Sequence, residues 1–231
     1  MTLDLFGDPL GSHPLVGQRQ ALGPQACVLR GWALPLEADL LAAVERVERA
    51  APFRHMVTPG GFTMSVALTN CGELGWTTDA TGYRYTRLDP LTGQPWPPMP
   101  DVFLKLAREA AEAAGFAHFE PDACLLNRYV PRSRMSLHQD KNERDLSQPI
   151  VSVSLGIAAT FLFGGLRRKD PAERVPLLHG DVVVWGGVDR MRYHGITPLK
   201  DATHPLLGRQ RINFTFRQAG PLPADRKERG V

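Results

Sequence analysis

Cysteine is scarce in this 231-residue chain: Cys27, Cys71 and Cys124 are the only ones, and no two form a CxxC pair. An odd number of scattered thiols argues against a disulfide framework and fits free cysteines in a reducing compartment. Long apolar runs are missing too. No stretch approaches the roughly 20 residues that cross a bilayer, and the first residues lack the basic-then-apolar pattern of a secretory leader. A soluble cytoplasmic protein with no membrane partner is the expectation. Charge of one sign is not in excess either, since 27 Lys+Arg face 24 Asp+Glu for a net +3. Net charge therefore gives no argument for nucleic-acid binding, and a local basic patch would be needed. No repeat of roughly 20–50 residues appears, which removes solenoids and propellers. The length allows one sizeable core and is short for two.

What is present reads as a β-rich domain with two helices. Residues 1–25 are rich in Gly and Pro and are expected to be a flexible arm. From Leu36 to Ala51, Leu40, Leu41, Val44 and Val47 recur at three- and four-residue spacings among charges, which predicts an amphipathic helix. A second is predicted from Pro100 to Ala114, with proline at its first turn and Gly115 just past its end. Residues 57–100 carry glycine, proline and aromatics without helical period, which predicts short strands and long loops. Further strands are predicted at 123–130, 135–140, 150–156, 159–163, 181–185, 191–196 and 211–217. An all-β core shaped as a two-sheet jelly roll, with helices packed outside, accommodates this order. The charged tail 221–231 is expected to be disordered.

The chemistry concentrates in Ser136-Leu137-His138-Gln139-Asp140 and a distant His194. In an extended strand, residues i and i+2 share a face, so His138 and Asp140 can grip one ion and a later strand can add His194. Two imidazoles and a carboxylate on one face of octahedral Fe(II) leave positions open for cosubstrate and dioxygen. His-x-Asp alone is weak, because a surface pair plus a hydrogen-bonded strand histidine reads the same way. The stretch Arg211-Ile212-Asn213-Phe214-Thr215-Phe216-Arg217 adds to it. Ile212, Phe214 and Phe216 make an apolar face, and Arg211, Asn213, Thr215 and Arg217 a cationic, hydrogen-bonding one. Two arginines on one face repel unless an anion or solvent compensates them, and the guanidinium fork suits a dicarboxylate. A half-exposed strand is the plain alternative; beside the triad, the pattern reads as Fe(II) with 2-oxoglutarate. In Asn127-Arg128-Tyr129, the amide and the phenol share a strand face and could complete the polar lining.

Several longer segments carry a resemblance. They include Met56 to Gly61, Gly75-Trp76-Thr77-Thr78, Asn127-Arg128-Tyr129, Ser136 to Asp140, Ile150 to Gly156, Phe163 to Leu166, His179 to Gly187 and Phe214 to Gly220. Over residues 53–220 the chain resembles the AlkB-type alkylated-nucleic-acid repair dioxygenases. The resemblance implies a single dioxygenase domain over 26–220, with a nucleotide-recognition lid at 53–90 and a jelly-roll (double-stranded β-helix) catalytic core at 122–220. It implies iron held by His138, Asp140 and His194. The 2-oxoglutarate would be held by Arg211 and Arg217, with Asn127, Arg128, Tyr129 and Asn213 beside them. The implied reaction is oxidative demethylation of N-alkylated bases such as 1-methyladenine and 3-methylcytosine, releasing succinate, CO2 and formaldehyde. The implied partner is alkylated nucleic acid, single-stranded DNA first, with duplex DNA and RNA left open, bound by a monomer.

For the substrate, Trp76 matches the family's base-stacking residue. Tyr83, Arg84 and Tyr85 match the segment that contacts the nucleotide and its phosphates, and Arg168 matches a substrate-contacting arginine. A lone tryptophan is more often core, and Arg167-Arg168-Lys169 after a glycine turn is more often a solvated loop; their place within the motifs favours function. One departure stands out. Where the bacterial form commonly has an acidic pair, this chain has Asn142-Glu143, so the first position brings no negative charge to a cationic base. Two rival readings stay open. One is an Fe(II)/2-oxoglutarate hydroxylase acting on a protein or small molecule, and the other is a nucleic-acid-binding module without iron chemistry.

Overall fold

The computed structural model describes residues 14–220. The expected tail and the first part of the expected arm lie outside the described residues. Fourteen strands and two α-helices follow one another in this range. A major sheet of eight strands has the order β1-β2-β12-β9-β14-β7-β4-β3, and a minor sheet of four has the order β11-β10-β13-β8. A separate hairpin pairs β5 with β6. In the major sheet β1 is Arg19–Gly23, β2 Ala26–Leu29, β3 Arg54–Val57, β4 Thr63–Gly72, β7 Ala123–Tyr129, β9 Ile150–Gly156, β12 Val182–Trp185 and β14 Arg211–Arg217. In the minor sheet β8 is Met135–His138, β10 Ala159–Phe163, β11 Glu173–Leu177 and β13 His194–Ile196. The hairpin strands are β5 Gly75–Asp79 and β6 Gly82–Thr86. This is the jelly roll expected from the pattern of short strands. Among the described residues no helix is long and apolar enough to cross a membrane.

The helices close the outer face of the major sheet. α1 (Glu37–Ala50) buries Leu40, Ala43, Val44 and Val47, and α2 (Asp101–Ala113) buries Phe103, Leu106, Ala107, Ala110 and Ala111. Both match the predicted periodic stretches to within a residue. Pro100 sits at the N-cap of α2, and Gly115 takes a left-handed φ of 97° just after it. Strand β14 supplies the facing surface. Phe103 stacks on Phe214 at 4.8 Å between centroids and meets Phe216 edge-on at 5.9 Å. Each such aromatic buried from water contributes roughly 1.5–3 kcal/mol.

Two expectations are corrected. The loosely held arm does not extend to residue 25, because β1 pairs with β2, and β2 in turn with β12, extending the major sheet. Its glycines and prolines hid a strand whose order comes from distant partners. Strand β11 was not foreseen either. It contains Pro176, which removes a ladder donor and reads against a strand, yet β11 is the edge of its sheet, where proline is tolerated.

Candidate iron and cosubstrate site

His138 ends β8 and His194 opens β13, and the two are direct cross-strand partners with ring centroids 4.4 Å apart. Gly195 makes this closeness possible: a Cβ there would lie 2.6 Å from the Met135 carbonyl oxygen on β8. Asp140 was expected to extend the strand, but β8 stops at His138 because β13 begins at His194 and offers no ladder beyond it. Asp140 reaches the histidines from the following loop, with Oδ1 3.6 Å from His138 Nε2 and Oδ2 3.7 Å from His194 Nε2. Ligating atoms of all three lie within 4.8 Å of one another.

The tautomers suit metal binding. His138 Nδ1 lies 2.8 Å from the Ser136 carbonyl oxygen, and His194 Nδ1 lies 3.0 Å from that of Arg192. A carbonyl only accepts, so each Nδ1 carries the proton and each Nε2 presents its lone pair to the cluster. Burial above all pushes His138 well below the usual imidazole range, which favours the neutral ligand form. Burial alone would raise the Asp140 carboxyl. The Arg217 guanidinium outweighs it and holds the carboxyl well below its usual range. Asp140 is therefore ionised at neutral pH.

The inner face of the major sheet forms a polar wall. Register places Arg211 opposite Tyr129 and Asn213 opposite Asn127 on β7, with Ser154 of β9 opposite Asn213 on the other side. Arg211, 1% exposed, lies over the Tyr129 ring at 5.1 Å and donates from Nη2 to Ser154 Oγ at 2.9 Å. Its Nε and Nη1, like Asn127 Oδ1, are buried with no partner. A buried guanidinium with two idle donors is a cradle for a carboxylate. Arg217 is differently placed: Nε and Nη2 both donate to Asp140 Oδ2, at 2.9 and 2.6 Å. Of the two arginines that the sequence treats alike, one adjoins the candidate iron ligand and the other waits for an anion.

Other predicted residues divide by face. Trp76, Thr78, Tyr83 and Tyr85 share one side of the β5–β6 hairpin, since Trp76 pairs with Tyr85 and Thr78 with Tyr83. Trp76 stacks on the exposed Tyr83 ring at 5.6 Å, and its Nε1 donates to Asn142 Oδ1 at 3.4 Å. Tyr85 is buried and donates to Glu143, so it faces inward and not toward a phosphate. Burial pushes its phenol well up, which keeps it a donor. Arg84 lies on the opposite side of the hairpin and pairs with Asp79. Arg128 is not brought to the site. Alternation turns it away from Asn127 and Tyr129, toward Glu48 of α1 at 2.6 Å and the Phe53 ring at 4.5 Å. Arg168 is exposed and lies over the ring of Tyr193, the residue before His194, at 5.8 Å. Tyr193, Ser154, Arg190 and the role of Glu143 were not foreseen; only the pairing of distant strands and loops brings them to the site.

A cupped pair of β-sheets holding two histidines and an aspartate at one rim defines a jelly-roll iron oxygenase. A family model described as the 2OG-Fe(II) oxygenase superfamily matches residues 25–217. An alpha-ketoglutarate-dependent dioxygenase AlkB of Salmonella typhimurium is 57% identical over 217 residues, 94% of this chain and 98% of that protein. A DNA N(6)-methyladenine demethylase ALKBH1C of Arabidopsis thaliana is 40% identical over 109 residues, 42% of this chain and 24% of that protein. Among solved structures, that of OsALKBH1 superposes with a TM-score of 0.75 at 28% identity, covering 87% of this chain and all of that one. The chain belongs to the 2OG-Fe(II) oxygenase superfamily, in its AlkB-type branch. Its residues fit the group's cofactors: two imidazoles and an ionised carboxylate converge as Fe(II) requires, and the buried, unpaired donors of Arg211 suit an anionic keto acid.

Proposed function

We propose that the chain repairs alkylated nucleic acid by oxidative demethylation of bases such as 1-methyladenine and 3-methylcytosine. The observation that carries this reading is the aromatic pair Trp76–Tyr83, hydrogen-bonded through Trp76 to Asn142, two residues beyond Asp140. A base lifted from its stack needs such a stacking surface beside the oxidising centre. Fe(II), 2-oxoglutarate and dioxygen supply the oxidising power, converting an N-methyl group to a hemiaminal that collapses to formaldehyde, with succinate and CO2 released. His138, Asp140 and His194 would hold the iron. Arg211, with donors idle on its guanidinium, would hold one carboxylate of the keto acid, and Arg217, beside Asp140, would add positive charge to the same pocket. Asn127, Tyr129 and Asn213 line the same wall and orient the cosubstrate. Trp76 stacks on the base, while Tyr83 and Arg168 stand at the exposed rim, where they can meet the strand. A cationic base on the indole gains roughly 0.5–2 kcal/mol from cation–π attraction. Single-stranded DNA is the preferred form, since an unpaired base leaves its stack at lower cost, and a monomer suffices.

Formaldehyde and succinate release from a single-stranded oligonucleotide with one 3-methylcytosine tests the reading. Equal, lesion-dependent amounts of both are expected. Succinate formed equally with and without the lesion would instead favour a hydroxylase of another substrate. In the same assay Trp76→Ala is expected to lower kcat/KM for the lesion about 10- to 100-fold, the worth of one base–aromatic stack. Cosubstrate binding should be unchanged; a parallel loss of 2-oxoglutarate affinity would make Trp76 a structural residue.

Asn142 bears on which lesion is preferred. It is exposed and turns its amide oxygen to the indole, so a cationic base meets a dipole and not a charge. Asn142→Asp is expected to raise kcat/KM for 1-methyladenine over a neutral etheno adduct several-fold, in line with about 1 kcal/mol for a solvent-exposed charge pair. An unchanged ratio between the two lesions would sink the idea.

A further inference from the structure

The loop that carries Asp140 has no ladder to fix it, so side chains must hold it in place. Two arginines do so: Arg217 donates to the Asp140 carboxylate, and Arg190 donates from Nη1 to the Asp140 main-chain oxygen at 2.7 Å. Both also meet one further carboxylate. Glu143 lies 3.1 Å from Arg190 Nη2 through Oε2 and 3.4 Å from Arg217 Nε through Oε1. The Glu143 side chain is only 2% accessible, so it faces these cations with almost no help from water. A third contact comes from the substrate side, where the Tyr85 hydroxyl donates to Glu143 Oε1 at 2.6 Å. Tyr85 sits opposite Trp76 in the hairpin, and Trp76 in turn donates to Asn142. Consecutive residues of the ligand loop are thus each held by the hairpin that presents the stacking tryptophan.

We propose that Glu143 is a positioning residue that couples the β5–β6 hairpin to the iron ligand Asp140. Resting on the function proposed above, it assigns to this site a mechanical and electrostatic link between base recognition and metal binding. The buried Glu143 and the part-buried Asp140 balance two buried arginines here. With Glu143 neutral, Asp140 alone faces both cations, and Arg217 draws its carboxylate away from the histidines. With the Tyr85 hydroxyl gone, the hairpin can shift without disturbing the arginines. Buried charge networks of this kind respond strongly to the loss of one member, because the partners left behind cannot be resolvated.

Co(II), which reports the site without turnover, is titrated into the full-length protein with and without a saturating oligonucleotide bearing one 3-methylcytosine. For the wild type the oligonucleotide is expected to tighten Co(II) by about fivefold or more, within the usual range of coupling between sites, and Co(II) to tighten the oligonucleotide by the same factor. Glu143→Gln is expected to weaken Co(II) about tenfold or more, as loss of a group behind a metal ligand commonly does, and to abolish the coupling. Tyr85→Phe should leave Co(II) affinity of the free protein nearly as it was and still abolish the coupling. A structural role alone would not separate the two variants in this way. Wild-type Co(II) affinity in Glu143→Gln, or wild-type coupling in Tyr85→Phe, overturns the proposal, as does a wild type that binds both ligands independently. If Glu143→Gln does not fold, Tyr85→Phe decides by itself. A wild type that binds neither Co(II) nor the oligonucleotide overturns the function proposed above, and this inference falls with it.

Discussion

Replacing Arg211 with methionine is expected to raise KM for 2-oxoglutarate about 100-fold or more, since losing one partner of a buried charged pair costs about 2–5 kcal/mol. The same change should not weaken the protein without its ligands. Arg211 is 1% exposed and donates to Ser154, and no acid among the described residues pairs with it. Burial pushes its pKa down, the sign of a cation held where it is poorly solvated. An apolar side chain of similar length removes that cost, and apolar replacements of buried ionic groups are often neutral or stabilising by about 1–4 kcal/mol. The midpoint of thermal unfolding without ligands should therefore hold or rise. Saturating 2-oxoglutarate, at about 100 times its Kd, should stabilise the wild type by roughly 2.7 kcal/mol, and the variant much less at the same concentration. Initial rates against 2-oxoglutarate, with melts in its presence and absence, check all three outcomes. A variant that melts well below the wild type with KM unchanged would make Arg211 a core residue and nothing more.

Asp140→Asn is expected to remove lesion-dependent formaldehyde release almost entirely. Changes behind metal ligands commonly cost about 10–100-fold, and this one alters a ligand itself, so the loss should exceed about 100-fold. It should also destabilise the metal-free protein. Arg217 is 6% exposed and directs two donors to Asp140 Oδ2, and an amide oxygen accepts them without supplying the charge. Removing one charge from a buried pair costs about 3–5 kcal/mol. Glu143, 3.4 Å from Arg217, stays to compensate part, which places the expected value near the bottom of that range. Chemical denaturation of metal-free wild type and variant measures the difference. A variant as stable as the wild type would mean that Arg217 finds its balance elsewhere.

Sequence carried the chemistry further than the architecture around it. The His-x-Asp pair, His194 and the alternating β14 strand were legible because metal ligation and a two-faced strand impose fixed spacings. Spacing also misled in one respect. The i, i+2 rule joined His138 to Asp140 through a continuous strand, whereas the strand stops at His138 and the aspartate is held by arginines 50 and 77 residues away. Arg128 sits inside a matched motif, yet alternation sends it to the helix side of the sheet, where Glu48 takes its charge. The amino-terminal strands escaped notice because glycine and proline obscure their alternation and their order comes from pairing with β12. Glu143 was visible as one half of an unusual pair, but nothing local shows that Tyr85, Arg190 and Arg217 would converge on it.

Strand β14 belongs to two economies at once. Ile212, Phe214 and Phe216 fasten the helices, while Arg211, Asn213 and Arg217 on the reverse form the polar wall proposed to serve iron and cosubstrate. Few substitutions there can be tried without risking either the fold or the reaction. The parts proposed to meet the lesion are drawn from elsewhere: a two-stranded hairpin outside both sheets, an irregular loop at 139–149 and an exposed arginine turn at 167–169. Diversification can therefore proceed on these peripheral pieces while the oxidising machinery is inherited unchanged. A lineage with this architecture is free to change its appetite for lesions without relearning its chemistry.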